Sequence, residues 1–342
     1  MKKFIIFILV ASAFLPACSP KTTTEEVQIA KHDSLADKIN SPVLKAINDL
    51  LLKDPGNDSL YNERSCIYIG LNQFNEANGD VFRALKIDST KPKYYLTLAD
   101  VYFAQNKTRQ SKETLEETVK RFPNSTEALL KLAEIFYLVR QYENSITNIN
   151  KALKIDENMA NAYYMKGSVF KEMGDTGKAL SSYQTAIEQD NKFFDAFLDA
   201  GILYACKKNP LAFEYFDNAL RLKPGSENVV FAKAKLLQDL DKINESVAIY
   251  KELLSKNKNN TDVLYNLGAI SLYKTKKTSE AIDYFSKAIA VNPEYTEAYF
   301  ARGASFEKMK DIENAKADYN MCLKITRNYE PAITALNNLS KK

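Results

Sequence analysis

The sequence predicts an all-α array of stacked helix pairs, and three observations lead there. A 34-residue pattern recurs from Asp58 to Tyr329. In its register, two positions hold only Gly, Ala or Ser, and two others hold only large apolar or aromatic residues. Within the copy at 160–193, Tyr163, Gly167 and Phe170 are spaced four and three apart and so share one helical face. Gly174 and Gly177 then flank Asp175 and Thr176, which break the helix and offer a cap to the next one. Ala179, Tyr183 and Ala186 form a second single face. Neither amphipathic helix can bury its apolar stripe alone, so each needs the other and a neighbouring copy.

The chain begins with a segment that is not part of this pattern. Lys2 and Lys3 precede a twelve-residue apolar run, Phe4–Leu15, too short for the roughly 20 residues of a membrane-spanning helix and suited to a signal-peptide core. Leu15-Pro16-Ala17-Cys18-Ser19 resembles the bacterial lipoprotein signal of an aliphatic residue, a small residue and Cys, with Pro16 an unusual occupant. That resemblance implies a signal peptide over 1–17 and an acylated Cys18 at the mature N-terminus. It also implies a bacterial cell envelope, with the lipid as membrane anchor. Ser19 is not the acidic neighbour that retains some such proteins in the inner membrane, so the outer membrane is expected. Residues 18–40 are polar, with Thr22-Thr23-Thr24 and Glu25-Glu26, and read as a tether. As a flexible coil it would span about 25 Å.

Residues 41–57 form a half unit. Pro42 suits a first helical turn, Val43, Ile47, Leu50 and Leu51 supply its apolar face, and Asp54-Pro55-Gly56-Asn57 ends it. Eight full copies follow at 58–91, 92–125, 126–159, 160–193, 194–226, 227–260, 261–295 and 296–329. Residues 330–342 begin a ninth and end polar, as a capping helix should. The eighth position of the unit reads Ser65, Ala99, Ala133, Gly167, Gly201, Ala234, Gly268, Gly303, and the twentieth Ala77, Ser111, Ser145, Ala179, Ala212, Ser246, Ala281, Ala315. Helices that approach within about 8–10 Å leave no room for larger side chains there. The fourth position (Tyr61, Tyr95, Leu129, Tyr163, Phe197, Val230, Leu264, Tyr299) and the twenty-fourth (Val81, Leu115, Ile149, Tyr183, Phe216, Tyr250, Phe285, Tyr319) fill the space beside them.

This period and pattern resemble the tetratricopeptide repeat family, whose unit reads W-x2-L-G-x2-Y…A-x3-F…A…P. The resemblance covers 58–329 and the half units at both ends. It implies a right-handed superhelical solenoid of helix-turn-helix repeats that serves protein–protein interaction. The departures are local. There is no Trp, and the inter-repeat Pro survives only at Pro123, Pro224 and Pro293. The fifth copy is one residue short near Lys208-Asn209-Pro210, the seventh is one long near Thr275–Ser279, and Ser271 stands where an aromatic is expected.

Catalysis finds no positive support, and no cofactor is implied. His32 is the only histidine and lies in the tether, which excludes a His-based triad or a multi-His metal site within one chain. Cys66, Cys206 and Cys322 fall in the first, fifth and eighth copies, too far apart to pair with one another or share a metal, and are expected as thiols. Gly177-Lys178 lacks the phosphate-loop context: Glu172 occupies the required Gly position and Ala179 replaces Ser or Thr. The 47 basic and 43 acidic residues leave no electrostatic footprint for nucleic acid.

A protein partner is therefore the expected ligand. In the family, first helices of successive units line a binding face, with the fifth position often groove-lining. Here that position reads Asn62, Leu96, Leu130, Tyr164, Leu198, Phe231, Tyr265 and Phe300. These side chains either pack between adjacent first helices or form an exposed apolar strip for a partner. The basic clamp that some members use for acidic carboxyl-terminal peptides, Lys at the fifth position with Asn at the ninth, occurs in no copy. The leading expectation is a membrane-anchored adaptor for an envelope protein or peptide. Two alternatives are a structural part of an envelope assembly (secretion, outer-membrane biogenesis or motility), self-association included, and, less favoured without Trp or long loops, a glycan-binding uptake lipoprotein.

Overall fold

Why the copies stack is visible where their small residues sit. The computed structural model describes residues 42–340, so the expected signal peptide, Cys18 and the tether lie outside the described residues. The described residues hold eighteen α-helices and no strand. Helix α1 (Pro42–Lys53) stands without a pair. The pairs are α2 (Asp58–Gly70) with α3 (Phe74–Ile87), α4 (Pro92–Ala104) with α5 (Thr108–Arg121), α6 (Thr126–Leu138) with α7 (Tyr142–Ile155), and α8 (Ala160–Glu172) with α9 (Thr176–Gln189). They continue as α10 (Phe194–Cys206) with α11 (Ala212–Leu222), α12 (Glu227–Asp239) with α13 (Ile243–Lys256), α14 (Thr261–Tyr273) with α15 (Thr278–Val291), and α16 (Thr296–Lys308) with α17 (Ile312–Ile325). Helix α18 (Glu330–Ser340) follows. The chain divides into two compact units, one ending at Gln189 and the other beginning at Asp190. The first holds α1–α9 and the second α10–α18.

Within each pair the eighth-position residue of the first helix faces the twenty-fourth of the second. A Cβ on Gly167 would lie 2.5 Å from the Tyr183 ring, and one on Gly268 2.6 Å from that of Phe285. Gly201 and Gly303 stand in the same relation to Phe216 and Tyr319, at 2.7 and 2.8 Å. In the first three copies, where the facing residue is Val81, Leu115 or Ile149, the eighth position is Ser65, Ala99 or Ala133, and all are buried. The sixth copy is the exception, with Ala234 and Tyr250 in one cluster. Serines in these columns also tie the two helices together. Ser65 Oγ donates to the Ala77 carbonyl, Ser145 Oγ to Ala133 and Ser246 Oγ to Ala234, each at 2.8 Å.

Two kinds of turn join the helices. Inside each copy one residue of the turn is left-handed: Asn72, Asn106, Arg140, Gly174, Lys208, Asp241, Lys276 and Lys310 all have positive φ, each the fifteenth of its copy except Lys276, the sixteenth of the long seventh copy. Only one is Gly, although that conformation costs other residues about 1–2 kcal/mol. Between copies, four of the five junctions without the family Pro carry an Asx turn, and Asn292 forms one beside Pro293 as well. The side chains of Asp88, Asp156, Asp190 and Asn257 each accept the N–H two residues on. In the short fifth copy α11 has 11 residues where its counterparts have 14, and a longer linker over 207–211 precedes it. In the long seventh copy Ser271 is buried and its hydroxyl donates to Glu280 at 3.3 Å.

Ion pairs hold some copies together. Arg64 forks Asp80 of its own copy at 2.6 and 2.7 Å and donates to Asn48 on α1. Arg302 repeats the arrangement, forking Asp318 at 2.8 Å and donating to Ser286 on α15. Cys322 is buried and its thiol donates to the Thr296 carbonyl; burial pushes its pKa up to about 12. Cys206 and Cys322 are free thiols.

Candidate functional site

A face able to receive a ligand has to come from the side of each first helix that its own copy leaves uncovered. Burial along α14 defines that side: Val263, Leu264, Leu267, Gly268, Ile270, Ser271 and Leu272 are buried, while Asp262, Tyr265, Asn266, Ala269 and Tyr273 keep solvent contact. These are positions two, five, six, nine and thirteen of the unit, one stripe at helical spacing. Tyr273 at its end is 63% exposed.

The seven fifth-position residues divide between the two readings. Leu96 and Leu130 are buried, at 0% and 7% exposure, and pack within the core of the first compact unit. Tyr164, Leu198, Phe231, Tyr265 and Phe300 are half-buried and keep one side open. Asn62, the polar exception, is buried.

Four of the five half-buried side chains are aromatic and rest on the twenty-fourth-position ring of the same copy. Tyr164 lies 5.5 Å from Tyr183, Phe231 5.6 Å from Tyr250, Tyr265 5.7 Å from Phe285 and Phe300 5.5 Å from Tyr319, centroid to centroid. All four pairs are tilted, the geometry that ring quadrupoles favour. In the last two copies a third ring closes on the same side: Tyr295 lies 5.3 Å from Tyr265, and Tyr329 stands edge-on to Phe300 at 5.7 Å. The fifth-position ring is thus both packing and surface. One edge is spent on the core, and the other remains to meet a ligand.

Charge distinguishes the stripes of the two compact units. In the first, Lys131 on α6 donates to Asp100 on α4 at 2.7 Å, and both side chains are buried. Burial raises the carboxyl pKa of Glu134 beside them. In the second, Asp262 and Glu297 occupy the second position of copies 7 and 8. Burial first, then the nearby carboxylates, holds the Tyr295 and Tyr329 phenols well above their ordinary pKa.

Models of the tetratricopeptide repeat match residues 96–160, and in a second form residues 160–193, 261–295 and 296–329. The chain belongs to the tetratricopeptide repeat family. Among curated proteins it resembles DnaJ homolog subfamily C member 7 of Mus musculus, 22% identical over 232 residues covering 64% of this chain and 47% of the relative. It also resembles the BBSome complex member BBS4 of Bos taurus, 22% identical over 260 residues covering 66% and 50% of the two chains. The chain spans about half the length of these relatives. Among solved structures, a tetratricopeptide repeat protein from Parabacteroides merdae aligns over 73% of this chain and 99% of its own, with TM-score 0.61 and 18% identity. At that identity the likeness concerns the fold.

For this tetratricopeptide repeat protein, sequence reasoning named the fifth-position column but missed its supporting rings. Tyr295 and Tyr329 sit at the last position of their copies, and Phe193 and Tyr295 are among the signals that mark it. It also missed the pairing of Arg64 with Asp80 and Arg302 with Asp318, which the shared separation of sixteen residues would have revealed.

Proposed function

We propose that the chain is a membrane-tethered adaptor of the bacterial cell envelope that holds a protein segment against the exposed stripe of its first helices. Tetratricopeptide repeats are scaffolds for protein–protein interaction, and the single observation that carries the reading here is the row of half-buried rings at Phe231, Tyr265 and Phe300 in the second compact unit. Partly buried aromatic side chains on rigid helices offer large contact area at small entropic cost. The envelope setting rests on the leader and on Cys18.

Two measurements test it. Partners found by proximity labelling in the native envelope should bind the purified full chain, and Phe231→Ala should weaken that binding at least tenfold with helical content unchanged; unchanged affinity would remove the stripe as the site. The mature chain should carry a thioether diacylglycerol on Cys18 by mass spectrometry. Finding Cys18 in a disulfide, or a mature chain that begins elsewhere, would remove the anchor, because an acylated sulfur has no thiol left to oxidise.

A second reading, a structural part of a larger assembly, draws on α1. Its Val43, Leu50 and Leu52 are exposed at 59, 47 and 81%. Stoichiometric copurification and a native mass above that of the monomer would favour this reading over the adaptor.

A further inference from the structure

The last two copies carry more than an apolar row. Tyr265 and Tyr295 meet at 5.3 Å, Phe300 and Tyr329 at 5.7 Å, and all four rings are half-buried. Glu297 stands three residues before Phe300, as Asp262 stands three before Tyr265, so each carboxylate shares a helical face with a ring of the group, and after burial the charge of Glu297 adds to the raised pKa of the Tyr265, Tyr295 and Tyr329 phenols. Asp262, one copy earlier at the same position, reaches Tyr295. Neither Asp262 nor Glu297 forms an ion pair among the described residues. The one base on this part of the stripe is Lys308 at its far end, where Nζ donates to the Leu272 carbonyl. In the first compact unit Asp100, at the ninth position of its copy, has its cation in Lys131.

Ring faces carry negative quadrupole charge, and a cation within about 6 Å of a ring centroid is attracted to it, more so beside a carboxylate. Acid and aromatic side chains side by side therefore select positive charge and reject negative charge. The spacing adds a second constraint. Successive first helices pack about 8–10 Å apart, and an extended chain advances about 3.3 Å per residue. One ligand residue in three falls opposite each copy.

Building on the adaptor reading, we infer that the stripe over copies 7 and 8 binds an extended protein segment with Arg or Lys at every third residue, its cations seated between Asp262, Glu297 and the rings of Tyr265, Tyr295, Phe300 and Tyr329. This is the opposite charge preference to the basic clamp whose residues the chain lacks.

The test uses the full chain and three fluorescein-labelled synthetic peptides, (Arg-Gly-Gly)4, (Glu-Gly-Gly)4 and (Leu-Gly-Gly)4, read by fluorescence polarisation. The Arg peptide should bind at least tenfold more tightly than the Glu peptide, and its affinity should fall as salt is raised. Asp262→Asn with Glu297→Gln should weaken it at least tenfold, while Glu313→Gln on α17, exposed and outside the stripe, should leave it unchanged. Asp262→Asn alone, at an exposed position, keeps the test open should the double variant misfold; it should weaken the Arg peptide at least threefold. Equal binding of the Arg and Glu peptides, or an Arg affinity indifferent to the Asp262 and Glu297 changes, overturns the inference. Binding of the Leu peptide alone, lost in Phe231→Ala, would overturn it and leave the adaptor reading standing. No binding by any peptide counts against both.

Discussion

A glycine beside an aromatic ring is a packing decision rather than a flexible joint in this chain. At Gly268 an added methyl would sit 2.6 Å from Phe285, and the ring cannot withdraw because it is fully buried and already tilted against Tyr265. Gly268→Ala is therefore expected to lower stability by about 1–3 kcal/mol through overpacking, in spite of the better helix propensity of Ala. Urea unfolding of the two proteins gives the answer, and a variant as stable as the parent would show that α14 and α15 separate freely. The same substitution paired with Phe285→Leu should recover most of the loss, since Ala99 facing Leu115 is that combination in copy 2. The small and large columns were plain in the sequence. Their coupling was not, because it is a correlation between two positions sixteen residues apart and each column taken alone shows only a size class. The fifth-position column was legible as apolar but not as exposed or packed. Leu96 is wholly buried, whereas Tyr164, its ring resting on Tyr183, and Leu198 are only half-buried, so residue type alone does not decide the outcome.

Between elements, polar contacts set which helix meets which. Arg302 reaches from α16 to Asp318 on α17 and to Ser286 on α15, so one guanidinium joins three helices. Its side chain is 21% exposed and that of Asp318 7%, so removing the carboxylate leaves a largely desolvated cation without a counter-charge. Asp318→Ala should cost about 3 kcal/mol, the lower end for a broken buried pair. Replacing both residues, Arg302→Met with Asp318→Leu, should cost much less, because it removes the charge together with its partner. A double-mutant cycle in urea checks this, and additive losses would deny the coupling. Helix boundaries were legible because caps and turns are local: Asn57, Ser125 and Asn260 accept the N–H three residues on at the starts of α2, α6 and α14. The Asx turns at Asp88, Asp156, Asp190 and Asn257 were less so, since the family pattern directs attention to a Pro and the chain uses a side-chain acceptor in its place.

At the scale of the whole molecule, stability against pH follows from carboxylates pushed in opposite directions. Asp58 is held below the ordinary carboxylate range by hydrogen bonds from Lys91 and then Tyr94, the latter binding the first copy to the second. Its contribution is present above its unfolded pKa and is lost as pH falls through the lower folded value. Glu134 has the reverse sign. Burial raises its pKa, Lys131 opposes that, and Asp100 reinforces it, so ionised Glu134 weakens the fold at neutral pH. A proton restores the balance, and the penalty disappears once pH drops below the unfolded value of about 4.3, where the side chain is neutral in both states. Glu134→Gln should therefore move the urea midpoint upward at pH 7 and leave it unmoved near pH 4. Asp58→Asn should do the opposite to acid sensitivity: it lowers the midpoint at pH 7 and shrinks the further drop on acidification. The two variants differ in the sign of one measurement on one array. A Glu134→Gln midpoint that is lowered at pH 7 would mean that the carboxylate is counted among the contacts stabilising the Lys131–Asp100 pair, and that the first compact unit holds three charges in balance where the geometry indicates two.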